Sequence, residues 1–274
     1  MAQKLRIGVM ASLTEDTRAE IEKVRQLNLS CCQLACWNPD LYTAKNASET
    51  AAALKEFEVD VTSLWTGYPG PAVWNFLEGP STIGFVPPDY RQMRVDALIK
   101  GAQFAAHLGF DSITTHAGFI PESPNDPLYA GTIEALAQIA SRCKELGLAF
   151  CFETGQETPT TLLRAITNIG TGNLGVNLDP ANLLMYGKAN PVDALDILGP
   201  YVKGVHAKDG EYPTEPANLG VEKPLGEGRV DFPRFVAKLK SFGYSGALTI
   251  EREISGDQQI KDITSAVEVL KPLC

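Results

Sequence analysis

The sequence predicts a (β/α)₈ barrel, and two observations carry this prediction. Eight short apolar runs alternate with eight longer stretches of helical period, which is the pattern of parallel strand–helix–strand units. The chain has 274 residues, close to the roughly 250 residues of a typical barrel of this kind. We therefore predict a single domain over residues 1–274. An open doubly wound sheet has the same element order, but the length and the number of pairs favour the barrel.

The predicted strands are short and nearly all apolar, as strands buried on both faces must be. They cover residues 5–9, 31–35, 60–64, 112–115, 149–152, 175–178, 202–205 and 247–250. The predicted helices cover residues 15–27, 47–57, 89–108, 127–146, 159–169, 191–198, 232–242 and 257–270. Start and stop signals agree with these bounds. Gly109 and Gly147 follow helical stretches, and Thr158-Pro159 supplies an N-cap followed by proline.

One connection is much longer than the others. Residues 65–88 separate the third strand from its helix and are rich in glycine, proline and aromatic residues. Connections of this length inside a compact domain are usually functional. Trp65, Tyr68, Trp74 and Phe76 would make the segment an apolar lid over the barrel mouth. The alternative is that these aromatic residues only attach an irregular loop to the barrel.

Composition excludes several classes of protein. The chain has 33 acidic and 24 basic residues, a formal charge of -9 and a pI near 4.9, without a run of lysine or arginine. Nucleic acid is therefore not an expected partner. The first apolar run reaches polar Ser12 and Thr14 too soon for a signal peptide or a membrane span, so we expect a cytoplasmic protein without membrane contact. The six cysteines contain no C-x-x-C pair, which favours reduced thiols.

Ligand-type side chains follow four successive predicted strands. They are Glu153, Asp179, His206 and Glu251. In a (β/α)₈ barrel the carboxyl ends of all strands meet at one rim, where catalytic groups lie. Each residue alone could be a helix cap or a solvated charge, but three converging carboxylates repel each other unless a cation neutralises them. We predict one divalent metal ion, with Mn²⁺, Mg²⁺ or Co²⁺ preferred and Zn²⁺ compatible.

Further polar residues near the same rim are candidates for binding a substrate. His116 ends the fourth strand, although a histidine there can equally be a structural hydrogen-bond donor. Lys208 should face the barrel interior with His206, because side chains alternate along a strand. Asp209 is predicted to orient His206 as a hydrogen-bond acceptor, and a charge pair at the start of a loop is the alternative. The predicted substrate contacts are completed by Asn182, Glu122, Trp65 and Arg229.

At these positions the chain resembles the sugar phosphate isomerase/epimerase superfamily, the xylose isomerase-like TIM barrels. The matching motifs are Phe152-Glu-Thr-Gly-Gln-Glu157, Asn177-Leu-Asp-Pro-Ala-Asn182, Val205-His-Ala-Lys-Asp209, Leu225-Gly-Glu-Gly228 and Ile250-Glu-Arg-Glu253. The resemblance implies the same four metal ligands, and in the ketose 3-epimerases of this group the first and last of them are also the acid and base. Those epimerases usually carry a histidine at the position of Asn182 and an arginine near Glu222 and Lys223.

The resemblance implies a metal-dependent isomerase or epimerase acting on a sugar or sugar phosphate, with Glu153 and Glu251 as catalytic groups. Such an enzyme removes a proton next to a carbonyl and forms an enediolate. The alternative is a dehydratase or other lyase acting on a keto-sugar or inosose. The DNA-repair endonucleases of the same barrel use more histidines than the three of this chain. A non-catalytic sugar-binding barrel also stays open, and the sequence would allow a homo-oligomer.

Overall fold

The computed structural model describes residues 4–274, so residues 1–3 of the predicted domain lie outside the described part. Eight parallel strands form a closed barrel in which β1 pairs with β8. They are β1 (Arg6–Ser12), β2 (Cys31–Cys36), β3 (Asp60–Thr66), β4 (Ser112–His116), β5 (Ala149–Glu153), β6 (Leu174–Leu178), β7 (Val202–Ala207) and β8 (Ala247–Ile250). The predicted (β/α)₈ barrel is confirmed, and closure excludes the open sheet.

A helix follows each strand. The eight are α1 (Thr17–Gln26), α2 (Ala44–Phe57), α3 (Pro88–His107), α4 (Tyr129–Glu145), α5 (Pro159–Ile169), α6 (Pro191–Leu198), α7 (Phe232–Ser241) and α8 (Asp257–Leu270). The predicted N-cap of α5 forms, because the Thr158 hydroxyl accepts a hydrogen bond from the backbone N–H of Thr161 at 3.3 Å. The sequence prediction missed two short helices, Gly79–Thr82 and Pro180–Met185.

The main apolar core lies between the barrel and the surrounding helices. Outward-facing strand residues such as Leu64, Ile113, Phe150, Val176 and Val205 are completely buried there. Burying a side chain of this size contributes about 1.5–3 kcal/mol relative to leaving it exposed. The stability of the strands therefore rests largely on their outer faces.

The inner face of the barrel carries mostly small or polar side chains at the inward-facing positions that precede the strand ends. The residues at this level are Gln33, Ser63, Thr114, Cys151, Asn177, Gly204 and Thr249, where most (β/α)₈ barrels carry branched apolar residues. The Ser63 and Thr114 hydroxyls lie 2.8 Å apart. A Cβ at Gly204 would lie 2.3 Å from Asn177 Oδ1, so only glycine fits at this position. A cavity of about 720 Å³ reaches this level from the N-terminal end of the barrel, the end opposite to the predicted ligands.

The long connection between β3 and α3 is fixed at its base. The buried Arg94 of α3 donates hydrogen bonds to the carbonyl oxygens of Pro69, Pro71 and Gly84 at 3.2, 2.7 and 2.5 Å. Its guanidinium also stacks on the Tyr68 ring, 4.4 Å from the centroid. The tip of the connection is more open, and Leu77 is 71% exposed. Movement of this segment as a lid stays a prediction.

Two smaller expectations can be compared with the structure. All six cysteines lie in the described part of the chain without a disulfide bond, and five of them are buried. Within residues 4–274, every helix is too short or too polar to cross a membrane.

Candidate metal centre

The four predicted ligands meet at the C-terminal end of the barrel. Glu153 ends β5, Asp179 follows β6, His206 lies in β7 and Glu251 follows β8. One ligand atom from each residue lies within 4.8 Å of the others. His206 Nδ1 is 3.1 Å from a carboxylate oxygen of Glu153 and from one of Glu251, and 3.6 Å from Asp179 Oδ2. The structure therefore brings together four side chains that are up to 98 positions apart in the sequence.

Local structure fixes the position of Asp179. It is the N-cap of the helix Pro180–Met185, and its Oδ1 accepts a hydrogen bond from the backbone N–H of Asn182 at 2.9 Å. The Thr154 hydroxyl, which follows β5, accepts from the Asp179 N–H and donates to its carbonyl oxygen, both at 2.9 Å. One carboxylate oxygen is thus used by the cap, and Oδ2 is left pointing into the cluster.

The orientation of His206 is set from across the barrel. Gln33 of β2 donates through Nε2 to Asn177 Oδ1 at 2.8 Å, so its Oε1 is the acceptor left for His206 Nε2 at 2.9 Å. This pattern places a hydrogen on His206 Nε2 and directs Nδ1 at the three carboxylates. A ring nitrogen held in this way is the usual arrangement of a metal-binding histidine.

The residues present fit a divalent metal ion. Asp179 Oδ2 and Glu251 Oε2 are buried and accept no hydrogen bond, although His206 and Lys208 lie 3.1–4.0 Å from them. A buried carboxylate oxygen that accepts no hydrogen bond is costly. A cation among the four residues would satisfy both oxygens. Three carboxylates and one imidazole form a donor set for Mn²⁺, Mg²⁺ or Co²⁺ and are compatible with Zn²⁺.

The pKa values of the cluster also indicate a site that favours a cation. Burial raises the pKa of Asp179 to about 7. Burial would lower the pKa of His206, but Glu153 and Glu251 outweigh it and hold that pKa well above its ordinary value. A protonated imidazole therefore occupies the centre of the carboxylates when no other cation is present.

Lys208 lies beside the cluster, as its predicted inward orientation requires. Its ammonium nitrogen is 2.9 Å from Glu253 Oε1, 3.4 Å from Glu251 Oε2 and 3.4 Å from Asn182 Oδ1. Asn182 Nδ2 donates in turn to Glu153 Oε1 at 3.2 Å. Lys208 and Asn182 thus connect the two glutamates of the cluster through hydrogen bonds and ion pairs.

A cavity of about 370 Å³ opens above the cluster. Its wall is formed by Met10, Ala35, Trp37, Trp65, Trp74, His116, Glu153, Asn182, Met185, Tyr186, Leu219, Glu251 and Glu253. The Trp65 indole N–H donates to Glu153 Oε2. His116 Nε2 is 3.6 Å from Glu153 Oε1, while its buried Nδ1 has no hydrogen-bond partner. Three of the predicted substrate contacts, namely Trp65, His116 and Asn182, therefore lie on the cavity wall.

Two other predicted contacts lie away from this wall. Glu122 is exposed, and it accepts hydrogen bonds from the hydroxyls of Thr158 and Thr161 at the start of α5. Arg229 has a largely exposed side chain, and its Nε is 4.0 Å from Glu211 Oε1. Both side chains are engaged outside the cavity.

The expected contact between Asp209 and His206 is absent. The Asp209 carboxylate instead accepts hydrogen bonds from the backbone N–H groups of Gly210, Gly226, Gly228 and Val230 at 2.8–3.1 Å. The partner of His206 is Gln33, whose role the sequence analysis missed. A polar residue inside the apolar run 31–35 was the signal that could have indicated it.

Glu157 is a further buried polar residue that was not predicted from the sequence. This glutamate is 1% exposed, and neither of its carboxylate oxygens has a hydrogen-bond partner. Burial raises its pKa to about 8. The preceding residue, Gln156, is equally buried and also has two polar atoms without a partner.

Comparison with known proteins identifies the family. A family model described as Xylose isomerase-like TIM barrel matches residues 21–273. A xylose isomerase domain protein from Planctomyces limnophilus is 33% identical, with a TM-score of 0.92 and coverage of 98% of this chain and 97% of that chain. A D-tagatose 3-epimerase-like protein is 22% identical, with a TM-score of 0.75 and coverage of 98% and 97%. A D-psicose 3-epimerase studied in the presence of D-fructose is 15% identical, with a TM-score of 0.73 and coverage of 98% and 99%. The chain belongs to the xylose isomerase-like TIM barrel family.

Proposed function

We propose that this chain is a metal-dependent sugar epimerase or isomerase that moves a proton on a carbon next to a carbonyl group. One observation carries the proposal. Glu153 and Glu251 face the same cavity, and each has a carboxylate oxygen 3.1 Å from His206 Nδ1 within the four-residue cluster. The sugar epimerases among the structural neighbours support the same class of reaction.

Glu153, Asp179, His206 and Glu251 would hold one divalent ion. When bound, this ion supplies Lewis-acid chemistry, which polarises a carbonyl oxygen and stabilises the negative charge that develops on it. Asp179 and His206 act as fixed ligands, because the helix cap and Gln33 hold their side chains in place. Mn²⁺ is the ion that we propose to test first.

Glu153 and Glu251 are the proposed base and acid. They come from β5 and β8, which are not neighbours in the barrel, so they approach the cavity from different sides. Burial would raise the pKa of Glu153, but His116 and His206 hold it below its ordinary value, so this carboxylate is ionised at neutral pH and can accept a proton. The ionised glutamate removes the proton from the substrate carbon. The other glutamate must be protonated when the substrate binds in order to return a proton, and proton exchange with solvent then resets both groups.

The position to which the proton returns decides the product. Return to the opposite face of the same carbon gives an epimer, and return to the neighbouring carbon gives an isomer. Loss of a β-hydroxyl from the same enediolate would give dehydration, the alternative reaction. His116 and Asn182, which lie on the cavity wall, would bind substrate oxygens. Lys208, a predicted substrate contact that is buried outside that wall, would instead hold Asn182 and Glu251 in place. Trp65 would position Glu153 through its indole N–H.

The test is proton exchange in D₂O, followed by ¹H NMR on the Mn²⁺-loaded protein with a panel of ketoses, keto-sugars and inososes. We expect deuterium to enter next to the carbonyl, and the product then separates epimerase, isomerase and dehydratase. Glu251→Gln should reduce turnover by about 10³-fold or more. The control Glu122→Gln, outside the cavity wall, should have little effect. Near-normal turnover of Glu251→Gln in protein that still binds metal would remove Glu251 from catalysis.

A further inference from the structure

We propose that the substrate is a neutral carbohydrate, a keto-sugar or keto-polyol without a phosphate group. This inference rests on the proposed function and names the substrate class of the same site. It depends on four features of the cavity and its surroundings: the charge of the wall, the partners of the nearby cations, the carboxylate in the glycine turn, and the tryptophan surface.

The ionisable side chains of the cavity wall are mainly acidic. Among the described residues, the wall contains the carboxylates of Glu153, Glu251 and Glu253 but no lysine or arginine. With Asp179 of the metal cluster the carboxylates number four, and one divalent ion and Lys208 together offset three of their charges, so one negative charge remains. A phosphate ester carries about -1.5 to -2 charges at neutral pH, so it would add repulsion with no free cation on the wall to offset it.

Four basic side chains of the loops after β7 and β8 are paired with carboxylates. Lys208 is almost completely buried against Glu253 at 2.9 Å. Lys223 Nζ and Arg229 Nε lie 3.7 and 4.0 Å from the Glu211 carboxylate. Arg252 forms ion pairs with Glu222 at 2.8 Å and with Asp262 at 2.7 Å. Recruiting one of these cations to a phosphate would break an existing ion pair.

The glycine turn after β7, which contains Gly226 and Gly228, already encloses a carboxylate of the same chain. Phosphate-binding barrels frequently hold the phosphate at the loops after their seventh and eighth strands, and backbone N–H groups form the anion site. Here four such N–H groups, from Gly210, Gly226, Gly228 and Val230, all donate to the Asp209 carboxylate. A Cβ at Gly228 would lie 2.1 Å from Asp209 Oδ1, which shows how closely this carboxylate fits. The anion position of the turn is therefore occupied by Asp209.

The remaining wall suits the C–H face of a sugar ring. Trp37, Trp65 and Trp74 surround one side of the cavity, and Trp37 lies 4.9 Å from Trp65 and 6.2 Å from Trp74 between ring centroids. Trp37 and Trp74 remain 47% and 39% exposed, so their rings are available to a ligand. Indole surfaces bind apolar faces, whereas a phosphate dianion beside them would lose hydration without gaining a partner.

Matched pairs of probes test this inference on the Mn²⁺-loaded protein. The pairs are D-fructose with D-fructose 6-phosphate and D-ribulose with D-ribulose 5-phosphate, measured by deuterium exchange and by titration calorimetry. We expect the free ketose of each pair to have at least about 10-fold higher kcat/KM and tighter binding. Metal content is measured after each phosphate titration, with inorganic phosphate as the control for loss of metal to the buffer.

The two proposals fail in different ways. Equal or faster exchange with the phosphate esters would overturn the neutral-substrate inference and leave the proposed reaction standing. Preferential binding of the free ketoses without any exchange would support the ligand class and overturn the reaction. Binding of neither member of either pair, together with no exchange with the inososes of the panel, would overturn both.

A variant tests the electrostatic explanation directly. Glu253→Gln keeps the size of the side chain but releases Lys208 from its 2.9 Å partner. We expect the preference for the free ketose over its phosphate ester to fall several-fold in this variant, as about 1 kcal/mol corresponds to such a ratio. The matched control is Glu215→Gln, an exposed position whose carboxylate forms none of the ion pairs described for the mouth. An unchanged preference in Glu253→Gln would contradict the role of charge.

Discussion

At the scale of single residues, the geometry of the site depends on groups that are not themselves proposed metal ligands. Gln33 fixes His206 Nε2 at 2.9 Å and is itself fixed by Asn177 at 2.8 Å. Polar partners of this kind define the orientation and tautomer of a ligand histidine. The small residues at the same level, including Gly204, leave room for this chain of hydrogen bonds. Gln33 is thus a positioning residue for His206 of the proposed metal centre.

Replacing Gln33 should therefore weaken metal binding without unfolding the barrel. Gln33→Leu keeps the volume but leaves His206 Nε2 and Asn177 Oδ1 without partners, and we expect about 10- to 100-fold weaker Mn²⁺ binding. Titration calorimetry of the metal-free protein measures this change. Ser63→Ala, at the same level inside the barrel, is the control and should bind Mn²⁺ normally. Equal affinities for both variants would show that Gln33 does not orient His206.

The buried Glu157 should make the free energy of unfolding depend on pH. Its folded-state pKa is raised to about 8 by burial, so the folded state holds a proton that the unfolded state releases near pH 4.5. The resulting contribution to the free energy of unfolding is fully present at low pH. It is lost as pH rises from about 4.5 to 8, a decrease of at most about 5 kcal/mol. Glu157→Gln removes the ionisation. We expect the free energy of unfolding, from urea titrations at pH 5–8, to fall less steeply with pH in Glu157→Gln than in the wild type.

The control for this experiment is Glu134→Gln, which changes an exposed glutamate of α4. It should follow the wild-type pH dependence, since its carboxylate is solvated in both states. The four residues of the metal cluster are the same in all three proteins, so most of their contribution cancels from the comparison, apart from the charge interaction between Glu153 and Glu157. Parallel curves for the wild type and Glu157→Gln would mean that Glu157 is not buried as an uncharged carboxyl group.

At the scale of elements, the positions of the strands and main helices were predictable from the sequence, whereas the structure of the connections between them was not. All eight strands and eight helices occur where hydrophobic period and caps predicted them, and their ends differ by up to three residues. The helix Pro180–Met185 was missed although Asp179-Pro180 is a start signal, because six residues are too few to show a helical period. This short helix matters for the site, since its N-cap holds Asp179.

The β3–α3 connection gives a prediction at this scale. Arg94→Leu would leave the carbonyl oxygens of Pro69, Pro71 and Gly84 without their shared donor, at a cost of about 3 kcal/mol or more. We expect faster hydrogen exchange in residues 67–87 and weaker sugar binding, with Mn²⁺ affinity unchanged. Lys100→Met, which removes an exposed cation of the same helix, is the control. Unchanged exchange in this segment would show that Arg94 does not hold the connection.

At the scale of the whole molecule, the convergence of the four proposed ligands could be predicted because each of them follows or ends its own strand. The barrel then makes all strand ends converge, so local pattern and overall topology together suffice. Contacts such as Gln33 with Asn177 and His206 join residues 144 and 173 positions apart, and no local pattern reveals which inward-facing residues meet. For the same reason Asp209 was assigned to His206, whereas the folded turn of Gly226 and Gly228 encloses it.

The central claim is that the barrel holds one divalent ion through Glu153, Asp179, His206 and Glu251. Titration calorimetry of chelator-treated protein with Mn²⁺, checked by metal analysis after dialysis, tests it most directly. We expect one ion per chain in the wild type, and a large loss of affinity in Asp179→Asn, which keeps the N-cap acceptor but removes the ligand charge. Failure of the folded wild-type protein to bind Mn²⁺, Mg²⁺, Co²⁺ or Zn²⁺ at any added concentration would contradict the metal centre.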